Sequence, residues 1–302
     1  KRSRYVFHVQ DLQPGAAGGL GMVRGRAFIR LLFAVERFSY RGAAAVSGIS
    51  DGMMKEFARK GVPAERRFYF PNWLRGRPAE RAEGGGFRRR LGLPADALLA
   101  VYAGNLGRKQ GIDVLVEAAR VLDGDDSPAA ARVMILIVGA GAGREELARQ
   151  IEGRSLARLR LLPLLDDDDY AAMLAETDVG LITQAPGTGR FFFPSKLLTL
   201  LDAGIPVATV ADESSELAQA VAEGGFGVNV PPRQPEKLAA ALCALAADAG
   251  WRAELRARTV WVRRFRAAAV LPAFAQQLER LRPAPPAASG LELPAGDRAS
   301  RP

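Results

Sequence analysis

Apolar runs and amphipathic segments alternate along most of the chain. Between residues 88 and 250, the continuous apolar runs that we predict as strands include LLAVYAGN, ARVMILIVGAG, DVGLITQ and IPVATVA. The segments between strands place apolar residues at helical spacing, as in IDVLVEAARVL, REELARQIEG, SSELAQAVAEGG and PEKLAAALCALAAD. Buried strands that alternate with helices indicate a parallel sheet covered on both faces, and such sheets bind ligands at the carboxyl ends of their strands.

The first part of the chain shows the same alternation over a shorter length. We predict a strand from Tyr5 to Val9, a basic amphipathic helix from Leu20 to Tyr40, a strand ending at Ser50 and another short strand in RRFYFPNW. Ser50 is expected to cap the helix that follows it. An α/β domain of ordinary size needs several βα units and only two or so are present, so we expect roughly the first hundred residues of this domain to be missing.

Changes in composition suggest the domain boundaries. The stretch from 76 to 87 is charged, Gly-rich and aperiodic, which predicts a linker. The expected organisation is a partial first domain, this linker, a second domain, helices that pack back on the first domain, and a disordered Pro-rich tail, at residues 1–75, 76–87, 88–250, 251–282 and 283–302. We predict WRAELRARTVWVRRF as one helix and a second helix from about Ala268 to Leu281, with Pro272 in its first turn.

The net charge is compatible with several classes of partner, and the sequence motifs narrow them. A formal net charge of +9 attracts nucleic acids, membrane surfaces and anionic substrates alike. The arginines are spread along the chain without an RNP-like aromatic pattern or zinc-ligand spacing, so we predict no nucleic-acid partner. No apolar run approaches the roughly 18 to 20 residues of a membrane span, and we expect a cytoplasmic protein. Its basic helix from Leu20 to Tyr40 either makes peripheral contact with the anionic inner face of the plasma membrane or packs in the domain with solvated arginines.

Two glycine-containing loops follow predicted strands. In GNLGRKQGID, small residues at Gly104 and Gly107 let the backbone approach a pyrophosphate, and Lys109 supplies positive charge. In VGAGAGREEL, Gly139 and Gly141 form a turn that suits either ligand contact or a tight strand-to-helix connection. Both loops are compatible with phosphate binding without establishing it.

The segment RFFFPSKLLTLLDAGIPV carries the most information. We expect Pro194 to stop a strand, Ser195 to cap a helix and Lys196 to occupy its first turn, where free N–H groups and the helix dipole favour an anion. A lysine is electrostatically unfavourable at that place in a helix. Lys196 therefore either binds a phosphate or simply extends into solvent.

These motifs, in this order and spacing, resemble the carboxyl-terminal domain of retaining GT-B glycosyltransferases of family 4, in the branch of colanic-acid and exopolysaccharide transferases. The upstream pieces HVQDLQPGAA, VSGISDGM, KGVP and FPNW resemble the second half of that family's amino-terminal domain. The resemblance implies an α/β GT-B fold with two Rossmann-like domains and parallel sheets, the first one incomplete. It also implies hexosyl transfer from a nucleotide sugar to a saccharide or lipid-linked acceptor in cell-surface polysaccharide biosynthesis, without a metal or a further cofactor.

The sequence departs from the broader family at two places. Asn105 and Gln110 stand where the family usually has an Arg and a Lys, and Phe191 and Thr199 stand where it has a pair of Glu residues. A variant donor site is therefore expected. By resemblance, the residues that contact the donor are Gly104, Asn105, Lys109, Gln110, Gly139, Gly141, Ser195, Lys196 and Thr199.

The catalytic residues that the resemblance suggests are Lys196 on the donor side and His8 and Asp11 on the acceptor side. The alternative for His8, the only histidine, is a core residue whose ring nitrogens are hydrogen-bonded within the protein. The acidic run from Asp166 to Asp169 is interpreted as a helix cap and not as a metal site. Two other functions stay open, namely a nucleotide-sugar epimerase and a degenerate remnant that binds nucleotide without transfer.

Overall fold

The computed structural model describes residues 4–10, 26–75, 86–189 and 193–282, which contain two parallel sheets of three and six strands. This is the α/β arrangement expected for GT-B, and the predicted fold class is confirmed. Asp11, Phe191, most of the predicted linker and the whole of the tail lie outside the described residues. No helix of the described residues is long and apolar enough to cross a membrane.

The three-stranded sheet has the order β1-β2-β3. Its elements are β1 (Val6–Val9), α1 (Arg26–Gly42), β2 (Ala45–Gly48), α2 (Asp51–Arg59), a 3-10 turn (Ala64–Arg66) and β3 (Arg67–Tyr69). The Ser50 side chain accepts a hydrogen bond from the Met53 amide at 3.2 Å. The cap predicted for α2 is therefore confirmed.

The six-stranded sheet has the order β6-β5-β4-β7-β8-β9, with every neighbouring pair parallel. Its elements are α3 (Phe87–Arg90), β4 (Leu98–Ala103), a 3-10 turn (Arg108–Gln110), α4 (Asp113–Asp123), α5 (Pro128–Ala131), β5 (Val133–Val138), α6 (Arg144–Glu152), β6 (Leu159–Leu162), α7 (Asp167–Glu176), β7 (Val179–Thr183), α8 (Lys196–Asp202), β8 (Val207–Val210), α9 (Glu216–Gly224), β9 (Gly227–Val230) and α10 (Pro235–Ala247).

Burial on both faces explains why these strands contain uninterrupted apolar runs. All six residues of β5 are buried, and its alternate residues belong to two different apolar clusters. Ile135 and Ile137 pack with α4 and α10 on one side, whereas Met134 and Leu136 pack with Met173 of α7 on the other. A strand buried on both faces has no polar positions to alternate, so the continuous pattern predicted the parallel sheet correctly.

The strand order places a switch point between β4 and β7. After β4 the chain builds outward through β5 and β6, and it then returns to add β7 on the opposite side of β4. The loops that leave β4 and β7 therefore diverge and leave a crevice at the carboxyl edge of the sheet. Open α/β sheets bind ligands in such a crevice.

The end of the described chain differs from the prediction in two respects. The segment predicted as one helix is α11 (Ala249–Ala257) followed by a 3-10 run (Arg258–Phe265) that buries Val262 and Phe265 in the core. The last helix, α12, spans Ala267–Arg280, so Pro272 lies in its interior and not in its first turn. The prediction of a single helix was wrong because burial of Val262 and Phe265 holds a 3-10 run in place. The bounds predicted for the last helix are confirmed to within one residue, but Pro272 is the sixth residue of that helix and lies beyond its first turn.

The same end of the chain contacts the first sheet. Leu74, which follows β3, forms a parallel β-bridge with Arg266. On α12, the ring of Phe274 stacks on Phe70 with centroids 3.8 Å apart. Through these contacts, the end of the described chain packs against the three-stranded sheet.

Candidate functional site

The ammonium group of Lys196 lies buried at the switch point. Lys196 is the first residue of α8, and its Nζ is 3.7 Å from the centre of the Tyr102 ring, on β4. Among the described residues, this Nζ atom has no hydrogen-bond partner. A buried charged group without a partner is rare in a folded protein, and it indicates that something other than the described residues supplies the counter-charge.

Burial also changes the acidity of this lysine. Removal from solvent lowers the pKa of Lys196 from 10.5 to about 8, because the charged form loses hydration. At neutral pH most molecules still carry the ammonium charge. The site therefore holds a poorly solvated cation.

Tyr102 supports both the lysine and the neighbouring loop. Its ring is fully buried under the ammonium group, and its hydroxyl donates a hydrogen bond to the carbonyl oxygen of Asn105 at 2.8 Å. Burial raises the pKa of Tyr102, so the phenol stays neutral. The attraction between a cation and an aromatic face offsets part of the cost of burying the charge. Tyr102 was missed by the sequence analysis, in which it was one more apolar residue of a strand.

The predicted glycine loops meet beside Lys196. Gly104 has a φ of +148°, and a methyl group placed on it would lie 3.0 Å from the Nζ of Lys196. Gly139 packs so closely on Gly104 that a methyl group there would overlap the Gly104 carbonyl oxygen, and a methyl group on Gly141 would overlap Asn105. The backbone can approach this closely only because these positions lack side chains.

The loop after β4 also contacts the loop after β7. The amide of Ala185 donates a hydrogen bond to the carbonyl oxygen of Lys109 at 2.9 Å. Gln110 is buried, and its Oε1 has no hydrogen-bond partner in the described part of the chain, whereas Asn105 is exposed. The loops after β4 and β7 are thus joined by a backbone hydrogen bond, and the predicted donor residues Asn105 and Gln110 differ in their access to solvent.

The start of α8 differs from the prediction. The strand before it, β7, ends at Thr183, so Pro194 does not terminate that strand. Ser195 has helical dihedral angles, φ −59° and ψ −27°, and its side chain makes no capping hydrogen bond. A side-chain cap needs an extended backbone at that residue, so the predicted cap was wrong.

This start of α8 also offers few free amides. The amides of Leu197 and Leu198 donate to the carbonyl oxygens of Pro194 and Ser195, both at 3.1 Å. An anion at this helix start would therefore interact mainly with the Lys196 side chain. Thr199 is exposed one turn further along α8.

The only histidine lies on the other sheet. The Nδ1 of His8, on β1, is 2.9 Å from the hydroxyl of Ser47, and its Nε2 is 2.7 Å from the side-chain amide of Gln10. Both ring nitrogens are thus hydrogen-bonded, and burial lowers the pKa of His8. A neutral histidine held in this way can orient a hydroxyl group only by exchanging one of these partners. Its predicted companion Asp11 is not among the described residues.

The acidic run is a helix cap. The side chain of Asp166 accepts a hydrogen bond from the amide of Asp169 at 2.8 Å, at the start of α7. Among the described residues no group of three or more His, Cys, Asp or Glu side chains is arranged to hold a metal ion.

A contact between the sheets was not predicted. Glu216, the first residue of α9, accepts a hydrogen bond from the amide of Gly52 in the first turn of α2. A methyl group on Gly52 would lie 2.6 Å from the same carboxylate oxygen. A cavity of about 650 Å³ lies beside this contact and is lined by residues of α2, β3, α9 and the 3-10 run, among them Lys55, Tyr69 and Trp261. The carboxylate thus joins two helix starts across the gap between the sheets.

Comparison with known families identifies the chain. The model of the family "Glycosyl transferases group 1" matches residues 97–248, half of the chain, and that of the "Glycosyl transferase 4-like domain" matches residues 1–73. The chain belongs to the glycosyl transferases of group 1.

Two curated relatives of this chain extend the comparison. It is 33% identical over 247 residues to the putative colanic acid biosynthesis glycosyl transferase WcaI of Escherichia coli K12, covering 80% of this chain and 59% of WcaI. It is 34% identical over 169 residues to the D-inositol 3-phosphate glycosyltransferase of Geodermatophilus obscurus, covering 53% of this chain and 36% of the relative. The chain thus spans less than two thirds of the length of either relative.

Solved structures share the fold of this chain. Sucrose-phosphate synthase from Thermosynechococcus elongatus superposes with a TM-score of 0.72 at 20% identity, over 93% of this chain and 68% of the synthase. The Anabaena HepE protein in complex with UDP-glucose gives 0.71 at 19% identity, over 92% and 73%. WaaG, a glycosyltransferase involved in lipopolysaccharide biosynthesis, gives 0.69 at 17% identity, over 90% and 74%.

Proposed function

We propose that this glycosyltransferase moves a hexosyl unit from a nucleotide-sugar donor to a saccharide or lipid-linked acceptor, with Lys196 holding the donor diphosphate. The observation that carries the proposal is the buried ammonium group of Lys196, which has no partner among the described residues and lies against Gly104 at the switch point. A diphosphate supplies the missing counter-charge, and the glycine backbone leaves room for it. The bound UDP-glucose of the HepE complex supports this class of donor.

The chemistry follows from where charge develops. The bond between the anomeric carbon and the terminal phosphate oxygen of the donor breaks, and its electron pair stays on the diphosphate. A hydroxyl oxygen of the acceptor forms the new bond to the anomeric carbon and passes its proton to the departing diphosphate. Negative charge grows on the departing diphosphate, where the fixed cation of Lys196 stabilises it more in the transition state than in the ground state. No metal or further cofactor takes part in the proposed reaction. The family resemblance suggests retention of anomeric configuration.

The remaining predicted residues have supporting roles in this proposal. Gly104, Gly139 and Gly141 admit the diphosphate, and the donor is also contacted by residues at the crevice edge, namely Asn105, Lys109, Gln110, Ser195 and Thr199. On the opposite sheet, His8 and Asp11 orient the acceptor. The name of WcaI supports a role in cell-surface polysaccharide synthesis. The location that fits such a role is the cytoplasmic face of the plasma membrane.

Release of free nucleoside diphosphate from a panel of sugar donors tests the proposal. With the correct donor and a saccharide acceptor, release should require the acceptor and should fall sharply in Lys196→Met. The control is Lys237→Met, which removes the same charge from an exposed position on α10. Equal turnover in Lys196→Met and Lys237→Met would show that the diphosphate is held elsewhere.

A second candidate is a protein that binds nucleotide without transfer. Thr199, exposed on α8, stands where the family has a carboxylate, which favours this alternative. Tight binding of a nucleoside diphosphate, with no product from any donor and acceptor pair, would support binding alone.

A further inference from the structure

Several buried polar atoms without partners lie at the switch point. Among the described residues, they include the Nζ of Lys196, the Oε1 of Gln110 and the Oγ1 of Thr183. Thr183 is 3% exposed and Gln110 is 9% exposed, so bulk solvent does not hydrate these two atoms. Buried polar side chains normally have a hydrogen-bond partner, and each exception needs an explanation. The diphosphate proposed for Lys196 explains only the first of the three.

Thr183 and Gln110 lie where two loops touch. Thr183 is the last residue of β7, two positions after Leu181, so its side chain is on the face of the sheet that packs against α4. Gln110 ends the 3-10 turn that leads into α4. The next residue, Gly111, lies so close to the loop after β7 that a methyl group on it would be 3.0 Å from the amide nitrogen of Ala185. Both side chains thus belong to one small region at the carboxyl edge of the sheet.

Lys196 and Gln110 do not satisfy each other. The Nζ of Lys196 can only donate a hydrogen bond and the Oε1 of Gln110 can only accept one, yet no hydrogen bond joins them. The ammonium group is held over the ring of Tyr102, and the loop of Gln110 is held by its contact with the loop after β7. A ligand that satisfies both groups must therefore offer an acceptor to the lysine and a donor to the glutamine.

A phosphate group meets only half of this requirement. Its oxygens are hydrogen-bond acceptors, so a diphosphate satisfies Lys196 and leaves Gln110 unpaired. A sugar hydroxyl has one donor and two acceptor lone pairs, so it can satisfy both Gln110 and Thr183. In a nucleotide sugar, a sugar adjoins the diphosphate at either end, whereas the base is one ribose further away. The nearest donors to a diphosphate on Lys196 are therefore sugar hydroxyls.

We propose that Gln110 and Thr183 recognise a sugar hydroxyl of the donor, beside the diphosphate held by Lys196. The hydroxyl donates a hydrogen bond to the Oε1 of Gln110 and accepts one from the hydroxyl of Thr183. This inference rests on the proposed function, because Lys196 places the donor. The hydroxyl belongs either to the ribose or to the transferred hexosyl unit, and both offer the same chemistry to these two side chains.

The consequence is selectivity between ligands. The two buried atoms gain partners only when the hydroxyl is present, so a ligand that lacks it should bind about ten- to hundredfold more weakly. Inorganic pyrophosphate has no such hydroxyl and should depend on Lys196 alone. A residue with a purely structural role would not distinguish these ligands.

Calorimetric titration tests the inference with three kinds of ligand. Inorganic pyrophosphate reports on Lys196. The tightest binder among UDP, GDP and ADP is compared with its 2′-deoxy and 3′-deoxy forms, which reports on the ribose, and with its glucose, galactose and mannose conjugates, which reports on the hexosyl unit. One of these two comparisons should show a difference of about ten- to hundredfold. Gln110→Met and Thr183→Val should each remove most of that difference and leave the affinity for pyrophosphate unchanged.

Matched control variants come from the same domain. Thr209 is also buried, on the neighbouring strand β8, but its hydroxyl donates to the Oδ1 of Asn229 at 2.7 Å. Thr209→Val should therefore lower the thermal unfolding temperature and leave ligand selectivity intact. Thr183→Val should not lower it, because that hydroxyl loses no partner among the described residues. Gln150→Met, near the end of α6, is the control for Gln110→Met and should bind every ligand like the unaltered chain.

Several outcomes would overturn the inference. An unfolding temperature that falls in Thr183→Val as it does in Thr209→Val would show that the hydroxyl of Thr183 has a partner within the chain. Equal loss of affinity for pyrophosphate and for every nucleotide, or selectivity that survives both substitutions, would also overturn it.

The same titrations separate this inference from the proposed function. If Lys196→Met abolishes pyrophosphate binding while Gln110→Met and Thr183→Val behave like the unaltered chain, the inference fails and the proposed function stands. If the unaltered chain binds neither pyrophosphate nor any of the nucleotides, the proposed function fails and this inference fails with it.

Discussion

Replacement of Lys196 by Met should stabilise the free protein while it removes donor binding. The fall of the Lys196 pKa from 10.5 to about 8 corresponds to about 3 kcal/mol between the two protonation states. The folded chain binds fewer protons than the unfolded chain between these two values, so stability rises as pH increases from 8 to 10.5. Near pH 7 the protonated lysine therefore costs stability. Met has a similar shape without the charge and should recover about 1 to 3 kcal/mol, allowing for the lost attraction to Tyr102.

Binding should respond in the opposite sense. An ion pair between the ammonium and a diphosphate is worth about 1.5 to 3 kcal/mol, so Lys196→Met should weaken nucleoside diphosphate binding about ten- to hundredfold. In the unaltered chain, affinity for a nucleotide sugar should decline by up to about tenfold per pH unit above 8, because binding then requires uptake of a proton. Lys196→Met should lack that decline.

Two measurements on the same samples test whether Lys196→Met raises stability and weakens nucleotide binding. Thermal unfolding at pH 7 should show a higher transition temperature for Lys196→Met than for the unaltered chain, and calorimetry with several nucleoside diphosphates should show the loss of affinity. Lys237→Met should change neither, since that lysine is exposed on α10. The assignment of Lys196 as a destabilising buried cation that binds the donor phosphate would be refuted if Lys196→Met lowered the unfolding temperature. It would also be refuted if Lys196→Met left the affinity for nucleoside diphosphates unchanged.

Three further predictions probe the surroundings of this site. Tyr102→Leu removes the aromatic face under Lys196, so the pH at which nucleotide affinity begins to fall should move below 8 in calorimetric titrations, whereas Tyr102→Phe should leave it in place. Gly104→Ala should displace the ammonium and weaken nucleotide binding, whereas Gly61→Ala, at φ +81° with open space around it, should cost stability alone in denaturant titrations. Glu216→Ala leaves an amide of α2 without its partner and should cost about 1 to 3 kcal/mol in the same titrations, whereas Glu216→Gln keeps an acceptor and should cost less.

The fold could be predicted because its signal is local. The four central strands of the six-stranded sheet are buried on both faces, so an uninterrupted apolar run such as that of β5 identifies them without knowledge of their neighbours. The 3-10 run from Arg258 to Phe265 could not be predicted in this way. Its apolar residues have a spacing that also suits an α-helix, and only their burial against the core formed by α8 and α9 selects the tighter turn.

The site was predictable only in part, because its geometry depends on distant contacts. The sequence pointed to Lys196 and to Gly104, but not to Tyr102 of β4, whose ring lies against the Lys196 ammonium group. The cap predicted at Ser195 failed because the dihedral angles of that residue are set by the chain on both sides of it. The contact of Glu216 with α2 joins residues 164 positions apart, so no local sequence pattern could predict it.

A buried lysine gives this site a different character from the cation pair usual in the family. Two cations in the loop after β4 would sit where Asn105 is exposed and Gln110 buried, and both residues are neutral here. Lys109 remains as a cation in the loop after β4, and a buried charge comes instead from Lys196 of α8, which lies over an aromatic ring and is poorly hydrated. Because little water has to be removed from such a cation, its attraction for phosphate is strong for a single charge. The same burial makes it destabilising when no donor is bound, so the stability cost and the proposed binding strength have one physical origin.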